Sequence, residues 1–193
     1  MAVLAGGKSR RMGTDKAFLL YRGSPFVTMI TDEMLKTSDD VLVVVGRKDS
    51  REFSSILDPS VRVLNDTYDL ENPMGGMLSA FRSVKNSYVA FLACDTPFVR
   101  AGVIEFLHRA AVGRTAAVPL WEDGRIEPLC AVYDVARAEA AGLKALAENS
   151  LGCRYLIRHL EGVNYIKVED LRRLDPDLVS LRNVNTRAEF DSL

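Results

Sequence analysis

The residues whose types most clearly suggest a binding site lie in one short stretch directly after the first apolar run of the chain. Gly6 and Gly7 open this stretch, and its cations are Lys8, Arg10, Arg11 and Lys16. Because glycine lacks a Cβ atom, backbone N–H groups at Gly6 and Gly7 can approach an anion closely, and the cationic side chains add attraction. The stretch predicts a phosphate site, although a solvated basic loop would have the same composition.

The spacing of these glycines excludes two common nucleotide-binding motifs. A P-loop needs a glycine five positions before Gly7, where this chain has Ala2. A dinucleotide fingerprint needs three glycines at a spacing that is absent here. Neither P-loop ATPase chemistry nor NAD chemistry is therefore indicated.

A carboxylate, Asp95, follows the apolar run from Tyr88 to Ala93. In α/β proteins, ligands bind at the carboxyl ends of the strands, where a carboxylate can hold Mg²⁺ that bridges phosphate oxygens. Asp95 is the predicted metal ligand. Since Pro97 stands two residues later, an N-cap or an Asx turn is the alternative role for this aspartate.

These residues must be positioned by a framework of strands and helices. Seven short runs rich in β-branched residues predict strands. They span Ala2 to Ala5, Val41 to Val45, Val61 to Leu64, Tyr88 to Ala93, Thr115 to Pro119, Leu129 to Tyr133 and Val163 to Val168. Segments with apolar residues at helical spacing lie between most of them. The predicted class is α/β, a three-layer α/β/α sandwich around a mostly parallel, mixed sheet of the Rossmann-like type.

Local patterns predict three further features. Ser24 suits an N-cap and Pro25 a first helical turn, so a helix is expected to begin near Pro25. The turn from Pro73 to Gly76 is expected to open a helix from Met77 to Val84, whose N-terminus could receive an anion. The polar residues from Glu122 to Arg125 predict the turn of a hairpin or of another antiparallel excursion.

Composition narrows the possible partners. The chain has 193 residues and a formal net charge of −1, which gives no general attraction to nucleic acid or to an anionic membrane. Its length predicts a single domain over residues 1–193. Neither a membrane-spanning run nor a signal peptide is recognised, so a cytoplasmic protein is expected. The cysteines are widely spaced, and His108 and His159 fall in predicted helices, so neither suggests a metal cluster or a catalytic nucleophile.

Four segments resemble one enzyme family in order and spacing. The string LAGGKSRRMGTDKA, from Leu4 to Ala17, closely resembles the signature of the molybdenum cofactor guanylyltransferases, which belong to the wider nucleotidyltransferase family. The other segments are Leu64-Asn65-Asp66 with Asn72-Pro73-Met74-Gly75-Gly76, then Cys94-Asp95-Thr96-Pro97-Phe98, and finally Asn183-Val184-Asn185-Thr186. The resemblance therefore covers nearly the whole chain.

The resemblance implies transfer of GMP from GTP to the terminal phosphate of molybdopterin, with Mg²⁺ as cofactor and pyrophosphate as the second product. It implies catalytic roles for Lys16, Arg11 and Asp95, the last as metal ligand. The implied nucleotide-binding residues are Leu4, Ala5, Gly6, Gly7, Lys16, Asp66 and Asp95. Other proteins of molybdenum cofactor biosynthesis and the acceptor enzymes are further implied partners.

The sequence allows more than one role for several of these residues. Asp66 could read the guanine edge, hold a ribose hydroxyl or only cap a turn. Asn183 and Asn185 could bind the pterin or satisfy a neighbouring loop, and Asp15 is expected to stabilise the cationic loop. Lys16 could be merely solvated.

The base and the reaction also have alternatives. Three positions depart from the family pattern: Asn72 replaces a usual glycine, Gly75 replaces a usual alanine, and Val45 to Arg47 replaces a region that often carries asparagine. Cytidylyl transfer to molybdopterin or nucleotidyl transfer to a sugar or polyol phosphate would use the same chemistry. A nucleotide sensor without turnover is the alternative of a different class.

Overall fold

A computed structural model of the chain describes residues 1–7, 15–68, 70 and 72–192. The strands of this part are β1 (Ala2–Leu4), β2 (Leu20–Tyr21), β3 (Ser24–Pro25), β4 (Leu42–Val44), β5 (Arg62–Leu64), β6 (Tyr88–Ala93), β7 (Ala116–Leu120), β8 (Cys130–Asp134) and β9 (Val163–Lys167). The α-helices are α1 (Phe26–Leu35), α2 (Ser50–Ser54), α3 (Pro73–Phe81), α4 (Ala101–Ala111), α5 (Val135–Ala147), α6 (Cys153–Arg158), α7 (Val168–Leu171) and α8 (Arg187–Asp191). Two 3₁₀ turns span Lys16–Phe18 and Val179–Leu181.

The main sheet contains seven strands in the order β5-β4-β1-β6-β8-β7-β9. Strand β1 pairs in parallel with β4 and β6, β4 pairs in parallel with β5, and β7 pairs in parallel with β9. Strand β8 runs antiparallel to both of its neighbours, β6 and β7. The prediction of a mostly parallel, mixed sheet is confirmed, and each of the seven predicted strands is present.

Both faces of the sheet are covered by helices, because successive residues of a strand point to opposite sides. Val3 of β1 belongs to the cluster that includes Val27 of α1 and Ile104 of α4. Leu4 belongs to the opposite cluster, which includes Leu78 of α3 and residues of α5 and α6. This burial on both faces explains the continuously apolar strands and confirms the three-layer sandwich. No helix among the described residues is long and apolar enough to cross a membrane.

The predicted N-cap at Ser24 is wrong. Ser24 pairs with Tyr21 in the two-stranded hairpin of β2 and β3, and Pro25 is the N-cap of α1. The turn of this hairpin consists of Arg22 and Gly23, with φ of 50° and 86°. Two positive φ values are typical of the tight turns that join antiparallel strands, so Ser24 belongs to the hairpin.

The predicted start of helix α3 is also wrong, since α3 begins at Pro73 instead of Met77. Asn72 is its N-cap, and the Asn72 side chain accepts a hydrogen bond of 2.9 Å from the N–H of Met74. Proline is well suited to the first helical turn because its missing N–H would have had no partner there. Gly75 and Gly76 therefore lie inside the first turns of the helix.

Candidate active site

The predicted site residues converge on one edge of the sheet, where β1, β4, β5 and β6 end. Ala5 donates its N–H to Val44 at 2.8 Å, and Cys94 donates to the carbonyl of Leu4 at 3.1 Å. Asp66 donates its N–H to the carbonyl of Gly46 at 3.0 Å. These bonds bring the ends of four parallel strands together, which is the position where α/β sheets bind ligands.

Two glycines meet at the centre of this edge. A Cβ atom on Gly6 would lie 3.1 Å from the Cα of Gly46, and one on Gly46 would lie 3.0 Å from the Cα of Gly6. Gly46 also has a φ of +67°, a conformation that L residues with side chains rarely adopt. Both backbones can be this close only because neither residue carries a side chain. Gly7 is exposed, and a Cβ atom there would meet no described residue within 4 Å.

Lys16 lies against the carboxylate that follows β6. Its Nζ donates to Oδ2 of Asp95 at 3.0 Å and to Oδ1 of Asn185 at 2.7 Å. The side chains of Lys16 and Asp95 are 15% and 20% exposed, so the ion pair is mostly shielded from water. The structure thus joins the predicted catalytic lysine, the predicted metal ligand and the C-terminal asparagine motif in one cluster.

Asn185 is held by the helix that follows it. Thr186 is the N-cap of α8, and it forms a capping box with Glu189. The Glu189 carboxylate also accepts the backbone N–H of Asn185 at 2.6 Å. Hydrogen bonds from the backbone N–H groups of Asn185 and Thr186 hold the pKa of Glu189 below its usual value. Val184 is fully buried and donates its N–H to the carbonyl of Asp95 at 2.8 Å. The Asn-Val-Asn-Thr motif is therefore a short local structure that positions Asn185 beside Lys16.

The second carboxylate oxygen of Asp95 is the least satisfied polar atom of this cluster. Oδ1 of Asp95 is buried and receives no hydrogen bond within the part of the chain that the structure describes. The turn after β6 is closed by other groups, since Thr96 donates its N–H and its Oγ1 hydrogen to the carbonyl of Ala93. The alternative role of Asp95 as the cap of this turn therefore has no supporting contact among the described residues, and Oδ1 is available to a cation.

Asp66 already has protein partners. Its Oδ1 accepts from the N–H of Tyr68 at 2.8 Å and from Oγ of Ser79 at 2.6 Å. A Cβ atom on Gly75 would lie 2.8 Å from Oδ2 of Asp66, so the glycine allows the carboxylate to approach α3. These contacts support the turn-forming role that the sequence left open, and recognition of the base by Asp66 stays a prediction.

The backbone groups predicted to bind the nucleotide differ in what they already contact. The carbonyl of Leu4 accepts from Cys94, and the carbonyl of Ala5 accepts from Nζ of Lys48 at 2.5 Å. The Leu4 side chain is 8% exposed and belongs to the core. Nucleotide binding through these backbones stays a prediction, as it does for Gly6 and Gly7.

Arg11, together with Lys8 and Arg10, lies outside the described residues, so its predicted catalytic role stays a prediction. Asp15 is described, and its expected role in stabilising the loop is supported: Oδ1 accepts from the N–H of Ala17 at 3.2 Å. Oδ2 of Asp15 pairs with Nζ of Lys48 at 2.5 Å.

A cavity of about 310 Å³ lies beside Asp95, on the side of the sheet edge formed by the start of β8. Its lining residues are Ala93, Asp95, Thr96, Glu127, Pro128, Leu129, Cys130, Cys153, Leu181, Asn183 and Asn185. Burial raises the pKa of Cys130 to about 12 and that of Cys153 to about 11. These thiols are protonated at neutral pH, so they are poor nucleophiles.

His108 lies in α4, as the sequence predicted, whereas His159 is the C-cap of α6. The ring of His108 packs edge-on against Tyr88 with a centroid distance of 5.9 Å. His159 pairs with Glu148 at 3.0 Å.

Sequence reasoning missed two relationships at the site. The link from Lys48 to Asp15 and Ala5 was not foreseen, although Lys48 directly follows the Val45 to Arg47 region that departs from the family pattern. The contact between Asn185 and Lys16 was missed because the two residues are 169 positions apart. Knowledge that β1 lies between β4 and β6 would have placed Lys48 and Asp95 at one edge.

The fold and the cluster of glycines, lysine and carboxylate at the edge of the sheet are those of an α/β nucleotidyltransferase. Residues 1–163 match the family described as the MobA-like NTP transferase domain. The chain belongs to this family.

Individual relatives agree with this assignment. The chain is 37% identical over 190 residues to a protein of Methanothermobacter thermautotrophicus named "Probable molybdenum cofactor guanylyltransferase", covering 96% of this chain and 93% of that protein. It is 30% identical over 192 residues to a "Molybdenum cofactor guanylyltransferase" of Desulfosudis oleivorans, covering 98% and 91% of the two chains.

A solved structure is similar over the same length. Molybdopterin-guanine dinucleotide biosynthesis protein A from Archaeoglobus fulgidus aligns with a TM-score of 0.85 and 25% identity, covering 99% of this chain and 94% of that one. A 2-C-methyl-D-erythritol 4-phosphate cytidylyltransferase from Thermus thermophilus aligns with a TM-score of 0.71 and 14% identity, over 99% of this chain and 95% of the other, a likeness of fold alone.

Proposed function

We propose that this nucleotidyltransferase transfers GMP from GTP to the terminal phosphate of molybdopterin, giving the guanine dinucleotide form of the cofactor and pyrophosphate. The observation that carries the proposal is the Lys16–Asp95 pair at the carboxyl edge of the sheet, where the neighbouring strands β1 and β6 end. Its support from relatives is the name carried by proteins that are 30% and 37% identical to nearly the whole chain.

The proposed reaction needs no nucleophile from the protein. An oxygen of the acceptor phosphate forms a bond to the α-phosphorus of GTP, the bond from the α-phosphorus to the bridging oxygen of the β-phosphate breaks, and pyrophosphate leaves with that electron pair. Positioning and neutralisation of charge supply the catalysis in reactions of this kind. Lys16 stabilises the negative charge that moves toward the departing pyrophosphate, and Arg11 is proposed to do the same.

Mg²⁺ is part of the proposal, and the residues fit it in a specific way. The described residues contain no group of three or more His, Cys, Asp or Glu side chains that could hold a metal. Magnesium commonly binds through one or two carboxylates together with substrate phosphates, so a complete cage of protein ligands is not needed. Asp95 would hold the ion through Oδ1, which is buried and receives no hydrogen bond from any residue that the structure describes. A bound Mg²⁺ would neutralise phosphate charge.

The acceptor is proposed to enter the cavity beside Asp95. Polar side chains of Glu127, Asn183 and Asn185 line it, together with the apolar side chains of Leu129 and Leu181. A mixture of apolar surface and hydrogen-bonding groups suits a pterin, which has a planar ring with a polar edge. The nucleotide then lies toward Gly6 and Gly7, and the two substrates meet at Lys16 and Asp95.

The remaining parts of the proposal concern context. Residues 1–193 are taken as one nucleotidyltransferase domain, in keeping with a sheet whose strands run from Ala2 to Lys167. We place the protein in the cytoplasm, where GTP is available, with other proteins of molybdenum cofactor biosynthesis and acceptor enzymes as its partners.

A nucleotide panel tests the proposed reaction. The purified protein, molybdopterin and Mg²⁺ are incubated with GTP, CTP, ATP or UTP, and pyrophosphate release is measured together with the dinucleotide product. GTP is expected to give the highest kcat/KM. A clear preference for CTP would overturn the guanylyl assignment in favour of cytidylyl transfer, and GTP binding without turnover would favour the sensor.

A further inference from the structure

Lys48 connects two segments of the chain at the carboxyl edge of the sheet. It lies shortly after β4, and its Nζ donates to the carbonyl of Ala5 and pairs with Oδ2 of Asp15, each at 2.5 Å. The side chains of Lys48 and Asp15 are 22% and 24% exposed, so the pair is largely shielded from water. The ammonium also lies 5.9 Å from the centre of the Phe53 ring, which covers one side of it.

The partner of Lys48 is connected to the turn that bears Lys16. Asp15 is the N-cap of the 3₁₀ turn Lys16–Phe18, because its other oxygen accepts the N–H of Ala17. Its carbonyl accepts from the N–H of Phe18 at 3.1 Å. Lys48 therefore ties the backbone at the end of β1, through Asp15, to the start of this turn.

The N–H donors of Lys48 are largely occupied by protein oxygens, so Lys48 would affect the reaction through other residues and not by contact with the substrate. A lysine ammonium has three N–H donors, and two of those of Lys48 point at protein oxygens. Its charge is also compensated by Asp15. Lys16, in contrast, points toward Asp95 and Asn185 in the reaction cluster.

We infer that Lys48 is a positioning residue for nucleotidyl transfer: by joining Ala5 to Asp15 it fixes the backbone from which Lys16 reaches Asp95 and the triphosphate. The inference rests on the proposed role of Lys16 and adds a residue to that site. It predicts that Lys48 and Lys16 contribute to the same step, so that their effects on the reaction are not additive.

A double-mutant cycle tests this dependence. Lys48→Met, Lys16→Met and the double variant are compared with the wild-type protein in GTP-dependent pyrophosphate release, with kcat and KM for GTP measured separately. Lys48→Met is expected to lower kcat about tenfold and to change KM less, because a misplaced catalytic group weakens mainly the transition state. In the Lys16→Met background, Lys48→Met is expected to add less than about a twofold loss.

Three control variants accompany the cycle. Lys36→Met makes the same substitution at an exposed lysine that pairs with Glu33, and it is expected to leave kcat unchanged. Lys48→Arg keeps the charge and is expected to recover part of the lost kcat. Asp15→Asn keeps an oxygen for the N–H of Ala17 but loses the charge that faces Lys48, so it replaces Lys48→Met in the cycle if that variant does not fold.

The outcomes separate the inference from the proposed function. If Lys16→Met keeps wild-type activity, the proposed role of Lys16 fails and the positioning role of Lys48 fails with it. If Lys16→Met is impaired and Lys48→Met still adds its full loss, only the positioning role is overturned. A Lys48→Met protein with wild-type kcat would overturn it as well.

Discussion

Lys16 and Asp95 come from segments 79 residues apart, and they meet with 3.0 Å between Nζ and Oδ2. The pair joins the stretch after β1 to the end of β6, the two strands that lie side by side in the centre of the sheet. Since Lys16 contacts Oδ2 of Asp95, Oδ1 could hold the proposed metal ion at the same time.

Replacement of Asp95 by asparagine is expected to reduce Mg²⁺-dependent transfer by about a hundredfold or more, because the charge that faces Lys16 and the proposed metal is lost. Asp123→Asn is the matched control, since Asp123 is exposed and pairs with Arg125 in the turn before β8. Steady-state kinetics across a Mg²⁺ titration, with circular dichroism to verify folding, measures the effect. Wild-type kinetics in Asp95→Asn would remove the proposed metal role.

Asn185→Ala is expected to lower kcat/KM about tenfold, because Lys16 loses an oxygen that directs its ammonium. The capping box between Thr186 and Glu189 does not use the Asn185 side chain, so α8 should remain folded. Asn86→Ala, at an exposed asparagine on the opposite edge of the sheet, provides the comparison. Equal kinetics in the two variants would contradict the role of Asn185.

Gly46→Ala is expected to destabilise the protein by about 3 kcal/mol, since the new Cβ combines a left-handed backbone with a contact against Gly6. Gly124→Ala separates the two causes, because Gly124 has a φ of +82° but open space around it. That variant should cost about 1 kcal/mol from backbone strain alone. Urea denaturation of both variants measures the difference, and similar midpoints would show that the close approach of Gly6 and Gly46 adds nothing.

Asp66→Ala is expected to lower the free energy of unfolding by about 1–3 kcal/mol, because Ser79 and the N–H of Tyr68 lose their acceptor. The ratio of kcat/KM for GTP and CTP decides the further question of base recognition. A fall of that ratio would mean that Asp66 also reads guanine. An unchanged ratio with reduced stability would restrict Asp66 to the turn.

The framework of this fold could be predicted well from the sequence. Burial on both faces makes β4 and β6 apolar throughout, so their composition alone identifies them. Local competition was harder to foresee: Ser24 fits an N-cap, but the turn at Arg22 and Gly23 assigns it to a hairpin. Asn72 and Pro73 are the N-cap and the first residue of α3, but the glycines after them suggested a turn instead.

The sequence allowed several residues of the candidate site to be predicted, but it did not allow the contacts between them to be predicted. Asp95 and Lys16 each have a recognisable place in the sequence, but their pairing depends on the order of the strands. Lys48 has no distinctive sequence context, because a lysine after a strand is common. Its proposed positioning role depends on the pairing of β1 with β4, which brings the carbonyl of Ala5 within reach of Nζ.

The reversed direction of β8 has a consequence for how this enzyme could diversify. Because β8 starts at the edge where β6 ends, the chain from Glu127 to Cys130 forms one wall of the cavity, while Lys16 and Asp95 are held by other segments. The connection before it, from Glu122 to Arg125, is exposed, and exposed loops are where insertions are generally best tolerated. If the acceptor enters this cavity as proposed, changes in the connection that leads into this wall would alter which acceptor fits without replacing Lys16 or Asp95, so acceptor choice could evolve separately from the transfer chemistry.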